Sequence, residues 1–201
     1  MVIGDPMRRK GPLPYGVPEG RRGDWFGSFD LQRAPQMTEA RDACLKLLKG
    51  DLWCVFMIGG TGNGKTHLAI ATLNEWSREG HYGQFWKVPD WLALMRSRVQ
   101  PDEGQRNSEE VLSAFMEAPM LALDDLGPEK NTPWGDEQLY RLIDRRCDNR
   151  MRTIVTSNAR KADLDPRIVS RLSEGMVVCR SPDVRGTVRG GDTKEVELGD
   201  T

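Results

Sequence analysis

The chain has 201 residues, enough for one domain with a full core, and its formal net charge of -1 gives no global pull toward nucleic acid. Hydrophobic residues make up 38% and charged residues 29%, a globular balance, and no apolar run approaches the ~20 residues of a membrane span. The N-terminus lacks the apolar core of a secretion signal, so the expectation is a cytoplasmic protein with no membrane partner.

Residues 1–24 are rich in Pro, Gly and Arg without periodicity. They read as a flexible basic arm, either solvated or binding. Residues 38–49 read as a helix with Ala43, Leu47 and Leu48 on one face and Gly50 as its stop. Residues 53–58 form an apolar run of buried-strand type, and residues 66–78 read as the helix that follows a glycine-rich turn. Residues 84–88 are expected as a second strand, and Pro89 opens a helix through residue 98. Residues 100–107 are polar and turn-rich. Asn107 with Glu110 forms a capping-box start to a helix that ends near Ala118. Residues 120–124 read as a short apolar strand. Thr132-Pro133 starts a helix carrying Leu139, Leu142 and Ile143 at helical spacing. Residues 153–156 and 176–179 read as further strands, and Asp165-Pro166 caps a short helix between them. The polar tail 181–201 is expected to be mobile. Such alternation predicts an α/β domain over 25–180, a five-stranded, mainly parallel sheet sandwiched by helices.

The strongest chemical signal is Gly59-Gly60-Thr61-Gly62-Asn63-Gly64-Lys65-Thr66, which matches G-x-x-x-x-G-K-[ST] between a strand and a helix. Glycines let such a loop aim its N–H groups at phosphate oxygens, and the helix N-terminus adds partial positive charge. Lys65 would reach the β- and γ-phosphates, and the Thr66 hydroxyl would ligate Mg²⁺. A second signal is residues 121–125, an apolar strand ending in acids. Asp124 would hold Mg²⁺, directly or through water. Asp125 is placed to orient and polarise an attacking water. A third is residues 153–158, where Asn158 at a strand end could meet the γ-phosphate or the water, although such a residue is also ordinary turn chemistry. A fourth is the pair Arg167 and Arg171, four apart on one helix face. Such arginines can reach a neighbour's γ-phosphate, and a solvated basic face is the plain alternative.

Four cysteines, Cys44, Cys54, Cys147 and Cys179, show no C-x-x-C spacing. They read as reduced thiols, not zinc ligands.

In this order the motifs resemble those of AAA+ ATPases. The finer resemblance is to DnaC-type helicase loaders and IstB-type transposition ATPases. It is carried by residues 62–69 (Gly-Asn-Gly-Lys-Thr-His-Leu-Ala), 123–127 (Leu-Asp-Asp-Leu-Gly), 153–158 (Thr-Ile-Val-Thr-Ser-Asn) and 170–172 (Ser-Arg-Leu). Residues 26–29, Phe-Gly-Ser-Phe, look like that group's aromatic pair near the adenine pocket. The resemblance implies ATP on the loop at Gly59–Thr66 together with His67. It also implies Mg²⁺ on Thr66 and Asp124, a catalytic carboxylate at Asp125 and a sensor at Asn158. Arg171, with Arg167 as runner-up, is the implied arginine finger acting in trans, hence in a homo-oligomer. Asp125 stands where many AAA+ proteins have Glu, so a nucleotide-gated adaptor that scarcely hydrolyses ATP stays open. Only a short arm and one helix precede the phosphate-loop strand, and no C-terminal lid is expected.

The implied activity is loading or remodelling of a hexameric replicative helicase on single-stranded DNA. The same ATPase core serving a transposase, or a small-molecule kinase, are the alternatives. Arg96 and Arg98 are candidate DNA contacts. Trp91 reads more readily as core.

Overall fold

Successive residues of the first strand turn to two separate hydrophobic cores, and this alternation organises the domain. The computed structural model describes residues 13–32, 34–127 and 132–179. The elements run α1 (Thr38–Lys49), β1 (Cys54–Gly59), α2 (Lys65–Arg78), β2 (Gln84–Lys87), α3 (Val88–Ser97), α4 (Ser108–Met116), β3 (Met120–Asp124), α5 (Pro133–Asp148), β4 (Arg152–Ser157), α6 (Pro166–Arg171) and β5 (Met176–Cys179). The strands lie in the order β2-β3-β4-β1-β5, and every pairing is parallel.

Val55 and Met57 of β1 join Met120, Ala122 and Ile154 under α1 and α2. Cys54, Phe56 and Ile58 face the other way and join Leu121, Leu123 and Val155 under α3, α5 and α6. A parallel sheet covered on both faces needs apolar residues on both, which is why these strands read as unbroken apolar runs. Trp91 is fully buried in the second core.

Local chemistry sets the helix ends. Asn107 accepts from Glu110 N at 3.0 Å while Glu110 accepts from Asn107 N at 2.9 Å, so the expected capping box forms. Thr132 accepts from Gly135 N at 3.2 Å ahead of Pro133. Asp165 accepts from Arg167 N at 2.8 Å ahead of Pro166.

Arg146 of α5 is fully buried. Its Nη1 donates to Phe115 O and Ala118 O, each at 2.8 Å, Nη2 donates to Arg152 O at 2.7 Å, and Nε donates to Thr153 Oγ1 at 2.9 Å. The carbonyls at the end of α4 carry partial negative charge, so a cation suits them. One guanidinium thereby ties α4, α5 and the start of β4.

The expectation of a flexible arm through residue 24 needs correction over 13–24. Tyr15 N donates to Gly83 O at 3.0 Å, and Tyr15 O accepts from Phe85 N at 2.8 Å, so the segment pairs with the outer edge of β2. Gly16 follows at φ +80°, and a Cβ there would meet Phe85 O at 2.1 Å. Val17 is buried, and Asp24 O accepts from Asn74 Nδ2 of α2 at 2.8 Å. The strap is fixed by backbone bonds to a distant strand, which composition does not register. The remaining arm, residues 1–12, and the tail 181–201 lie outside the described residues.

Candidate functional site

The glycine-rich turn lies between the C-terminal end of β1 and the N-terminus of α2. In open parallel sheets, ligands bind outside the carboxyl ends of the strands. Gly64 caps α2 at φ +96°, and a Cβ there would lie 2.3 Å from the Phe29 ring. Glycine is required twice, for the left-handed backbone and for the close approach of the ring. Lys65 is buried, and its Nζ donates to Gly59 O at 2.9 Å, Gly60 O at 2.6 Å and Asn63 Oδ1 at 3.0 Å. Asn63, also buried, donates its Nδ2 to Cys179 O at 3.2 Å and so ties the loop to the end of β5. The ammonium is therefore held across the loop by two backbone carbonyls and the Asn63 side-chain oxygen.

The ends of β3 and β4 complete the site. Thr66 Oγ1 donates to Asp124 Oδ1 at 2.8 Å, which places the two expected metal ligands in contact across the sheet. This hard-oxygen pair fits the donor chemistry of Mg²⁺. Thr156 Oγ1 donates to the same oxygen at 2.7 Å and accepts from Asp125 N at 3.1 Å. Asp125 is exposed and takes φ +63°. That left-handed conformation costs a residue with a Cβ about 1–2 kcal/mol, least for Asn and Asp. It turns the Asp125 carboxylate toward Asn158, whose Nδ2 donates to Asp125 Oδ1 at 2.8 Å.

A cleft of about 400 Å³ opens over the loop, lined by residues 61–67, Asn158, Ser28, Phe29, Asp30, Ala34 and Arg21. Its size and mixed lining suit a ligand as large as a nucleotide. His67 holds the strap to α2. Its Nε2 lies 3.0 Å from Trp25 O and 3.3 Å from Ser28 Oγ, and its Nδ1 lies 3.6 Å from Asp24 Oδ1. The Phe29 ring centroid lies 5.2 Å from that of His67, at the mouth of the cleft.

Thus the structure gathers residues 61–67 and Asn158 around one cleft, with Asp124 and Asp125 bonded to two of them, Thr66 and Asn158. It leaves Arg171 and Arg167 elsewhere, exposed on α6. Arg171 Nη1 donates to Asp148 Oδ1 at 3.2 Å, and Nη2 is paired with Asp144. Tyr140 first, and then these carboxylates, raise the Arg171 pKa above its ordinary value. Arg167 pairs with Asp165 at 2.9 Å, and its guanidinium lies 4.4 Å from the Tyr140 ring centroid. Neither arginine lines the cleft. Of the DNA candidates, Arg96 Nη2 reaches Thr132 Oγ1 at 3.4 Å, and Arg98 is bonded to Gln105. Thr156 and the Asp24–His67 contact have no counterpart among the sequence expectations. The only sequence signal for Thr156 was its place beside Ser157-Asn158 at a strand end.

Among the described residues no group of His, Cys, Asp and Glu could hold a further metal, and no helix is long and apolar enough to cross a membrane.

Comparison with known proteins gives the family and the fold. A family model described as IstB-like ATP binding protein matches residues 35–170. The replicative helicase loader DnaI of Bacillus subtilis is 28% identical over 105 residues, which are 52% of this chain and 32% of that protein. A provisionally assigned ATP-binding protein in an insertion sequence of Mycobacterium tuberculosis is 31% identical over 137 residues, 66% of this chain and 52% of that protein. The chain thus spans between 32% and 52% of the length of these relatives. The crystal structure of the DnaC helicase loader superposes with a TM-score of 0.67 at 24% identity, covering 82% of this chain and 100% of that one. What is shared is the fold, a five-stranded parallel sheet with helices on both faces.

Proposed function

The chain belongs to the family of IstB-like ATP binding proteins, and on that premise we propose that it is an ATP-hydrolysing AAA+ switch that loads or remodels a hexameric replicative helicase on single-stranded DNA. One contact carries the ATPase part, Thr66 Oγ1 on Asp124 Oδ1 at 2.8 Å. It sets a hydroxyl and a carboxylate together beside the phosphate loop, where the two would hold a nucleotide-bound Mg²⁺.

In this reading Lys65 exchanges the carbonyls of Gly59 and Gly60 for the β- and γ-phosphates, because a charged acceptor forms the stronger bond. Thr66 and Asp124 would hold Mg²⁺, which neutralises charge on the phosphate oxygens. Asp125 orients the attacking water and accepts its proton. Asn158, already in contact with Asp125, places its amide between that carboxylate and the γ-phosphate. Arg171 of a neighbouring copy supplies the remaining positive charge, since this chain's own Arg171 lies outside its cleft. That arrangement makes the working unit a homo-oligomer.

The helicase part rests on the likeness to DnaI and DnaC, both named replicative helicase loaders. For the DNA strand, the groove beside the strap offers suitable chemistry. Tyr15 is exposed, its ring centroid lies 5.6 Å from that of Trp86, and Lys87 and Arg22 flank the pair. Stacking aromatics with adjacent cations suit a single strand. The transposase reading has its own support in the insertion-sequence relative. Affinity purification of the tagged chain from its source organism separates the two. A replicative helicase in the eluate and ATP turnover raised by single-stranded DNA are expected. A transposase without helicase would replace the first reading by the second.

A further inference from the structure

We infer that Thr156 is a positioning residue that sets both carboxylates of the site with one hydroxyl, an inference that rests on the ATPase reading above. Thr156 is buried, at 2% exposure, beneath the exposed pair Asp125 and Asn158. A threonine hydroxyl has one hydrogen and two lone pairs. Asp124 Oδ1, as a carboxylate oxygen, can only accept, so the hydrogen goes to it across 2.7 Å. Asp125 N can only donate, so a lone pair receives it across 3.1 Å. Both partners are fixed, and the hydroxyl has one orientation that serves them.

The location gives this bond its meaning. Ladder pairing between β3 and β4 reaches Leu123 opposite Val155 and goes no further. Beyond it the chain turns left-handed at Asp125, and successive carboxylates leave the strand in directions a regular strand would not give. Two other bonds already close this turn. Leu126 N donates to Thr156 O at 2.9 Å, and Ser157 Oγ donates to Leu126 O at 2.6 Å. The turn therefore has backbone anchors that do not need the Thr156 hydroxyl. What the hydroxyl adds is specific to the acids. It is a second donor to Asp124 Oδ1 alongside Thr66, and it fixes the peptide that aims Asp125 at Asn158. Apart from Thr156 the two acids have separate side-chain partners, Thr66 for Asp124 and Asn158 for Asp125, so this one hydroxyl couples the metal-side carboxylate to the peptide that carries the water-side acid.

The test uses the full chain with Thr156→Val, Thr156→Ala and Thr156→Ser. Binding of a fluorescent N-methylanthraniloyl ATP is titrated with and without Mg²⁺, ATP turnover is measured, and melting is followed in parallel. For Val and Ala, metal-free binding should stay within about twofold while the gain in affinity on adding Mg²⁺ disappears. Their kcat should fall roughly tenfold to a hundredfold with KM little changed, as expected for lost bonds to charged groups. Ser keeps the hydroxyl and should restore both readouts. Wild-type kcat and Mg²⁺ gain in Val and Ala would overturn the inference. Loss of metal-free binding together with lower melting, or failure of Ser to rescue, would overturn it too. Absence of turnover in the wild type would remove the ATPase reading instead, and the Mg²⁺-dependent affinity would still decide the role of Thr156.

Discussion

Asn158 Nδ2 donates to Asp125 Oδ1 across 2.8 Å, and both groups are exposed at the carboxyl edge of the sheet. The bond is to a charged acceptor and holds a carboxylate on a left-handed residue. Asn158→Ala should leave nucleotide affinity within about threefold and lower kcat roughly tenfold or more, because the acid is then free to swing. Steady-state ATPase kinetics check this, and an unchanged kcat would refute a role for Asn158 in turnover.

Arg171 faces Asp144 and Asp148 of its own α5 and lies outside its own cleft. Arg171→Ala should therefore abolish turnover while ATP binding and melting temperature stay near wild type. Specific activity of the wild type should rise with protein concentration, since a second copy completes the site. Mixing Arg171→Ala with Lys65→Ala protein should restore part of the activity. Silence in that mixture would count against an arginine acting in trans.

Arg146 predicts a large effect on stability at a distance from the cleft. Arg146→Met fills much of the same volume but leaves the buried carbonyls of Phe115, Ala118 and Arg152 without this donor. Destabilisation of about 3–5 kcal/mol is expected, since each buried polar group left unpaired is costly. Urea unfolding monitored by circular dichroism measures it. A midpoint close to wild type would show that water replaces the guanidinium.

The cysteines predict a pattern of reactivity. Burial pushes the thiols of Cys44, Cys54 and Cys147 up to about 12, and that of Cys179 to about 11. The thiolate is the nucleophile, so the native chain should resist iodoacetamide at pH 8 and label at all four positions once unfolded. The sign for stability follows. In the unfolded chain these thiols lose their protons near the ordinary value of 9.0. The folded chain keeps them longer, so their contribution to stability is full below pH 9 and falls as pH rises from there toward 12. Rapid labelling of the native protein would contradict this account.

Much of the architecture was legible because local signals agreed with one another. The apolar run before Gly59 met a glycine-rich turn, and Asn107 with Glu110, Thr132 with Pro133, and Asp165 with Pro166 each marked a helix start that the structure confirms. Strand order was not legible, since nothing local says that β4 lies between β1 and β3. The strap was misread for a physical reason. Its bonds use Tyr15 N and O, which any residue there would offer, and its Pro- and Gly-rich composition is also that of unfolded segments. Arg146 was missed because an arginine on a helix ordinarily points to water. Thr156 was missed because threonine in a strand is ordinary packing, and its bonds to the Asp124 carboxylate and the Asp125 amide exist only once β3 and β4 are side by side.

The strap also ties two liabilities together. An uncovered sheet edge is a template for association with other chains, and Tyr15 and Gly16 blunt that edge at β2. Farther along, Phe29 closes against Gly64 at the nucleotide cleft. Shortening this protein from its front to about residue 30 would strip both at once. Poor solubility and weak nucleotide retention would then emerge as a single phenotype, and rescue by a peptide spanning residues 13–30 would mend the two together.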